Sequence, residues 1–294
     1  MRNRTTYLFI IVLAVVMTLA FFSKVQCKSV EHGESITESG DARLDGSEAA
    51  RRVKVGKGVK DDLLMVVGGD VQVLKRTGFV TGYSRDWRLP VWTAWCLTAD
   101  HTTGPYKRNG MKFHEDDEVP YPKAMNSDYY SSGYDRGHMC PSGDNKWDRQ
   151  AQEDCFLFTN MCPQSHNLNG GDWNDLEMKC RTWAKRYGSL YIVCGPVFHG
   201  SRPSRTIGRN KVWVPDGFYK VVLRLNQRSD RGKQRGDAIA ALGFYYDNED
   251  GHRPLSEYVM TVDEIEQMTG LDFFSALDDK TERRIEADAN FRDW

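Results

Sequence analysis

The chain has 294 residues, 40% of them hydrophobic and 12% aromatic, which is enough to bury a sizeable core in one large domain or two small ones, so it reads as an ordinary globular protein. Its net charge is −1; removal of residues 1–26 takes away Arg2, Arg4 and Lys24 and no acid, leaving 37 basic against 41 acidic residues. A net of −4 argues against a high-affinity nucleic-acid coat, which gains its affinity by releasing counterions through a broadly basic face. It does not argue against an enzyme that must release a polyanion.

Arg2 and Arg4 precede an apolar run from Tyr7 to Phe22, the basic-then-hydrophobic layout of an export signal, read here over residues 1–27. The run falls short of the ~20 apolar residues of a comfortable membrane span, so a removable signal is preferred and an uncleaved membrane anchor is the alternative. An exported chain would be periplasmic, secreted, or a cell-surface lipoprotein carrying lipid on Cys27, although Lys24-Val25-Gln26 matches a lipidation signal poorly. Removing Cys27 leaves Cys96, Cys140, Cys155, Cys162, Cys180 and Cys194, which in an oxidising compartment form up to three disulfides with 15 connectivities. No spacing is Cys-x-x-Cys, which weakens a zinc reading.

Residues 28–62 are rich in Ser, Glu, Gly, Asp and Lys and form a flexible tether, with one folded domain over 63–290. Leu63–Val67, Val71–Leu74, Phe79–Tyr83 and Val91–Leu97 are short strands between Gly, Asp and Pro. Trp87, Trp92 and Trp95 alternate within apolar runs and belong to the core rather than to a base-stacking surface. The steps of three and four from Trp173 through Leu176, Cys180, Trp183 and Ala184 to Tyr187 predict an amphipathic helix stopped by Gly188. Leu190–Val193 is a buried strand. Lys211–Val214 and Phe218–Leu225 are expected to pair across Pro215-Asp216-Gly217. Thr261 to Glu264 has capping-box spacing, and Gly270 closes that helix. The fold class is α+β, with a mixed or antiparallel sheet.

Two segments carry chemistry. In Asp135-Arg136-Gly137-His138, Gly137 permits a close backbone approach beside the imidazole, Arg136 can grip a phosphate, and Asp135 can pair with a cation or fix local geometry. From Thr159 to Glu177 the chain is dense in amides and acids; Asn169, Trp173 and Glu177, spaced by four, are expected on one helix face. An amide oxygen there can hold a hard divalent cation that keeps waters and phosphate oxygens. Helix capping is the plainer explanation of those amides. His114, His166, His199 and His252 read as incidental, His166 being the one to watch. The basic stretches Arg202–Lys211 and Arg224–Arg235 are more often solvated than bound to a backbone.

Together the segments resemble the DNA/RNA non-specific endonucleases of the ββα-metal, or His-Me finger, type. The likeness runs from Asp135–His138 through Thr159-Asn160, Pro163-Gln164, Leu168-Asn169, Trp173 and Leu176-Glu177 to Tyr191–Pro196, Val214-Pro215, Phe218–Lys220 and Tyr258–Met260. It covers roughly residues 75–275. It implies His138 as general base, Asn169 as the metal ligand, Glu177 as an acid near the metal's waters and Arg136 beside the scissile phosphate. Arg108 matches a further arginine that stabilises transition-state charge, on a less similar surrounding sequence. Asn160 looks like a residue that orients local structure, and Met139-Cys140 departs from the pattern. The implied activity is sequence-tolerant cleavage of DNA and RNA to 5′-phosphate ends with Mg²⁺, Mn²⁺ or another divalent cation, and a homodimer is compatible with it. A silent exported nucleic-acid-binding protein and a small-molecule phosphodiesterase are the competing readings.

Overall fold

The computed structural model of the chain describes residues 66–225, 239–249 and 251–294. The N-terminal apolar run, the tether, the expected domain start at Leu63 and most of the Arg224–Arg235 stretch lie outside them. Among the described residues no helix is long and apolar enough to cross a membrane.

Eleven strands are formed by the described residues: β1 (Gln72–Lys75), β2 (Val80–Ser84), β3 (Leu89–Thr98), β4 (Asp135–His138), β5 (Met161–Gln164), β6 (Ser189–Val197), β7 (Thr206–Ile207), β8 (Val212–Trp213), β9 (Gly217–Leu225), β10 (Ile239–Asp247) and β11 (Val259–Met260). The helices are α1 (Asn126–Tyr129), α2 (Arg149–Asp154), α3 (His166–Gly170), α4 (Asp172–Tyr187), α5 (Val262–Thr269) and α6 (Asp279–Glu286). Seven strands make one sheet in the order β1-β2-β3-β6-β9-β10-β11, antiparallel at every pair. The expected α+β class holds, with an antiparallel sheet.

The central strands are buried on both faces, because successive side chains point to opposite sides of a strand. On β6, Leu190, Ile192 and Cys194 join the core under α4, while Tyr191 and Val193 join a second core with Val262, Ile265 and Ile285 of α5 and α6. Trp92 and Trp95 are buried, one to each face, as their alternation predicts.

The expected hairpin between Lys211–Val214 and Phe218–Leu225 is not formed. β8 pairs with β7 instead, since β9 is flanked by β6 on one edge and β10 on the other along its length and has no ladder left to offer. The Pro215–Gly217 turn serves the sheet rim, where Asp216 N–H donates to Val197 O at 3.0 Å and Asn248 N–H donates to Asp216 O at 2.8 Å.

α4 runs almost as its periodicity predicts, burying Trp173, Leu176, Cys180, Trp183 and Ala184. It stops at Gly188, whose φ of 96° a side chain would strain. Acids in its first turn and Lys185 and Arg186 in its last complement the helix dipole. α5 has the expected capping box: Thr261 accepts from Glu264 N–H, and Glu264 accepts from Thr261 N–H at 2.8 Å. Among the described residues Cys140, Cys155, Cys162, Cys180 and Cys194 carry free thiols, which corrects the expected three disulfides among the six. These five lie in the core under α4, where each packs as a small hydrophobe.

Candidate active site

The centre of the site is a two-stranded hairpin-like pair followed by two helices. β4 and β5 pair antiparallel, with Gly137 opposite Cys162 and His138 opposite Met161. Gly137 is required by packing: a Cβ there would fall 2.2 Å from Gln164 Oε1. Beyond β4 the chain is clamped by buried Asn160. Its Oδ1 accepts from Cys140 N–H at 2.9 Å, and its Nδ2 donates to Cys140 O and Cys155 O at 2.9 and 3.0 Å. Met139 N–H also donates to Asn160 O. Trp173, on the first turn of α4, donates its indole N–H to His138 O at 3.4 Å. Asn160 thus ties down the backbone immediately after His138.

The His138 ring is 8% exposed and packs between Phe113 and Phe156, at centroid distances of 5.6 and 5.2 Å. Burial, with Arg108 nearby, lowers its pKa to about 3, so the imidazole is neutral across the ordinary pH range. Its Nε2 is buried without a hydrogen-bond partner.

His138 opens onto a cleft of about 640 Å³ that also takes in Arg108, Asn169, Asn174, Glu177 and Arg181. These residues come from four separate stretches of sequence. Asn169 does not share a helix with Glu177, as spacing alone suggested. It belongs to the short α3, and Gly171, with φ −106° and ψ −110°, breaks the chain before α4 begins. Trp173 points into the core while Asn169 and Glu177 reach the same cleft. Asp135 fixes the amide: its Oδ2 accepts from Asn169 Nδ2 at 3.0 Å and lies 2.9 Å from His166 Nδ1. His166 is therefore an exposed partner of Asp135, not a lining residue of the cleft.

Glu177 is pushed up to about 7, chiefly by burial, with Lys220, Arg181 and Arg108 pulling it down and Asp144 adding to the rise. Arg181, one helical turn on, sits 3.8 Å from Glu177 and donates to buried Asp144 at 2.9 Å. Asp144 also accepts from the Trp95 indole at 3.1 Å. Arg108 extends over the Phe156 ring at 5.8 Å, and Lys107 and Lys146 complete a basic wall. Sequence reading missed Lys146 and Arg181. The i to i+4 step from Glu177 was the available signal for Arg181.

Arg136 is the site residue that the structure keeps out of the cleft. Its Nε donates to Asn126 Oδ1 at 2.8 Å, and its guanidinium lies over Phe113, Tyr129 and Tyr130 at about 5.5 Å. It shares Phe113 with His138, so it braces the ring that holds the imidazole.

The donor set fits a hard divalent cation. With Asn169 Nδ2 committed to Asp135, the amide oxygen is the atom left for a ligand, and the Glu177 carboxylate and the Asn174 amide line the same cleft.

The family model for the DNA/RNA non-specific endonucleases matches residues 65–280. The chain belongs to this family. Among curated relatives of these endonucleases, zebrafish (Danio rerio) mitochondrial nuclease EXOG is 35% identical over 216 residues, covering 68% of this chain and 60% of its own length. Bovine (Bos taurus) mitochondrial endonuclease G is 31% identical and covers 70% of each. A solved complex of EndoG with EndoGI, described as a mechanism of EndoG inhibition, superposes with a TM-score of 0.64 at 28% identity, over 72% of this chain and 89% of that one. The match spans 55–60% of the EXOG relatives from fish, frog and mouse. The ββα-metal fold expected for an endonuclease of this family is therefore present.

The comparisons correct the expectation of export. Relatives from fish, cattle, human and yeast carry mitochondrial names, which runs against a periplasmic, cell-surface or secreted location. A basic start followed by apolar residues is short and generic, so it does not by itself distinguish one destination from another.

Proposed function

We propose that this chain is a metal-dependent endonuclease that hydrolyses phosphodiester bonds in DNA and RNA with little sequence preference. The observation that carries the reading is the convergence of a neutral buried imidazole, an oriented amide and a basic wall on one cleft. His138 is the general base. With Nε2 buried, Nδ1 is the nitrogen we assign to take the proton from the attacking water. Asn169, with Glu177 acting through bound waters, would hold a divalent cation, which when bound supplies Lewis-acid stabilisation of phosphate oxygens. Mg²⁺ is our first choice and Mn²⁺ the second.

Arg108 is assigned to the charge that grows on the phosphate in the transition state, and Lys107, Lys146 and Arg181 to drawing in the polyanion. Arg136 positions His138 through Phe113. Because these groups address phosphate rather than base edges, weak sequence preference and tolerance of both sugars follow. The basic residues lining the cleft, Lys107, Arg108, Lys146 and Arg181, favour a polyanion over a small ester.

The test is incubation of the purified chain with supercoiled plasmid and with RNA, in Mg²⁺ or EDTA. Loss of both polymers in Mg²⁺, protection in EDTA and protection in His138→Ala are expected. Folded wild type that leaves both polymers intact in Mg²⁺ and in Mn²⁺ would overturn the reading.

A further inference from the structure

On the sheet face opposite the α4 core, α5 and α6 bring four carboxylates together. Asp263 and Glu266 lie on α5, and Glu282 and Glu286 lie on α6, one turn apart on each helix. One oxygen from each of Asp263, Glu266 and Glu286 lies within 4.8 Å of the other two. Crowded like charges in a protein interior are unfavourable, and the ion pairs of the described residues include none of these four.

Glu286 is the second and independent observation. Its side chain is 5% exposed, and its Oε1 is buried with no hydrogen-bond partner. The Oε1 of Glu282 is likewise buried and unpartnered. The Glu286 carboxylate is thus nearly buried, has one orphaned oxygen, sits against the carboxylates of Asp263 and Glu266, and is without an ion-pair partner among the described residues. Glu266 has its own Oε1 occupied by Phe273 N–H at 2.8 Å, which fixes the group in place while leaving its other oxygen free. Asp263 is exposed, so the cluster has an entry from solvent.

We propose that Asp263, Glu266 and Glu286 form a second, structural site for a hard divalent cation such as Ca²⁺, with Glu282 completing its surroundings. Carboxylate oxygens alone suit Ca²⁺, which takes six to eight oxygen ligands and fills the remainder with water. The cation ties the C-terminal helix α6 to α5 and offsets the repulsion that folding creates there. The metal-free cluster must otherwise retain protons, and burial with the neighbouring acids does push Glu266 up to about 7 and Glu286 up to about 8. The site is separate from the cleft, since α5 and α6 pack on the other core.

The experiment measures the unfolding midpoint of the full chain at pH 7.5 with EDTA and then with Ca²⁺, for wild type, Asn169→Ala, Glu286→Gln and Asp263→Asn. At roughly 100-fold excess over Kd the wild type is expected to gain about 5 °C or more. Asn169→Ala keeps most of that gain, whereas Glu286→Gln and Asp263→Asn lose it and retain nuclease activity. Asp263 is exposed, so its variant reads the site even if Glu286→Gln does not fold. Hydrogen exchange of the wild type adds a check: Ca²⁺ slows the amides of 262–269 and 279–286. An equal Ca²⁺ gain in wild type and Asp263→Asn, or no slowing in those two helices, overturns the proposal and leaves a proton-sharing acid cluster.

Discussion

Buried His138 and half-buried Glu177 share one cleft and have pKa shifts of opposite consequence. His138 falls from 6.5 to about 3, so the unfolded chain binds the extra proton between those values, and the stability of the neutral ring is lost as pH falls through that window. Glu177 rises from 4.5 to about 7, so the folded chain holds the extra proton, and that stability is lost as pH rises from 4.5 to 7. In EDTA the two nearly cancel between pH 4.5 and 6.5. Relative to wild type, His138→Ala is expected to lose stability as pH rises through this range and Glu177→Gln to gain it, each by up to about 1.4 kcal/mol per pH unit. Urea midpoints across the range check this, and parallel profiles for the three proteins would contradict it. His138 and Asn169 were legible because their neighbours form a motif. Lys146 was not, since a cleft assembled from separate stretches has no linear signature, and Arg181 was signalled only by its i to i+4 step from Glu177.

The element that sets the imidazole is the β4–β5 pair and the segment Asn160 ties to it. Asn160→Ala orphans Cys140 N–H, Cys140 O and Cys155 O in a buried region. We expect a loss of about 2–4 kcal/mol in urea unfolding and a cleavage rate lowered more than the binding of DNA, because the displaced group is the proposed base and not the basic wall. Gly137→Ala drives a methyl group into Gln164 and should separate the two strands; a variant with wild-type stability and activity would refute that account of the glycine. Elements whose own periodicity decides them, such as α4 and the capped α5, were readable before folding. The pairing of β8 was not, because it depends on which edges β6 and β10 have already taken. The break at Gly171 was hidden for a similar reason: spacing by four looks the same across two helices as along one.

At the scale of the whole molecule, a sheet buried on both faces separates a cleft lined by Lys107, Arg108, Lys146 and Arg181 from an acidic cluster at α5 and α6. The overall charge of −1 conceals this division, since the basic residues of the cleft are offset elsewhere. Composition therefore spoke to what the chain is not, a basic coat, and left the local field to the fold. One consequence is salt dependence: cleavage of plasmid should slow steeply between 50 and 200 mM KCl, on the order of tenfold or more for a few phosphate contacts. Lys146→Ala should flatten that dependence while leaving the rate at low salt within a few-fold, as read from initial rates in a salt series. A salt response identical to wild type would remove Lys146 from the substrate path.

The most direct test of the central claim is chemical rescue. His138→Ala leaves a space beside Phe113 and Phe156 into which free imidazole can diffuse, and in Mg²⁺ the variant should cleave plasmid at least about 100-fold more slowly than wild type. Added imidazole should restore part of that rate in proportion to its neutral fraction, and should restore nothing in Asn169→Ala. A His138→Ala protein that cleaves at the wild-type rate without imidazole would contradict the assignment of the base.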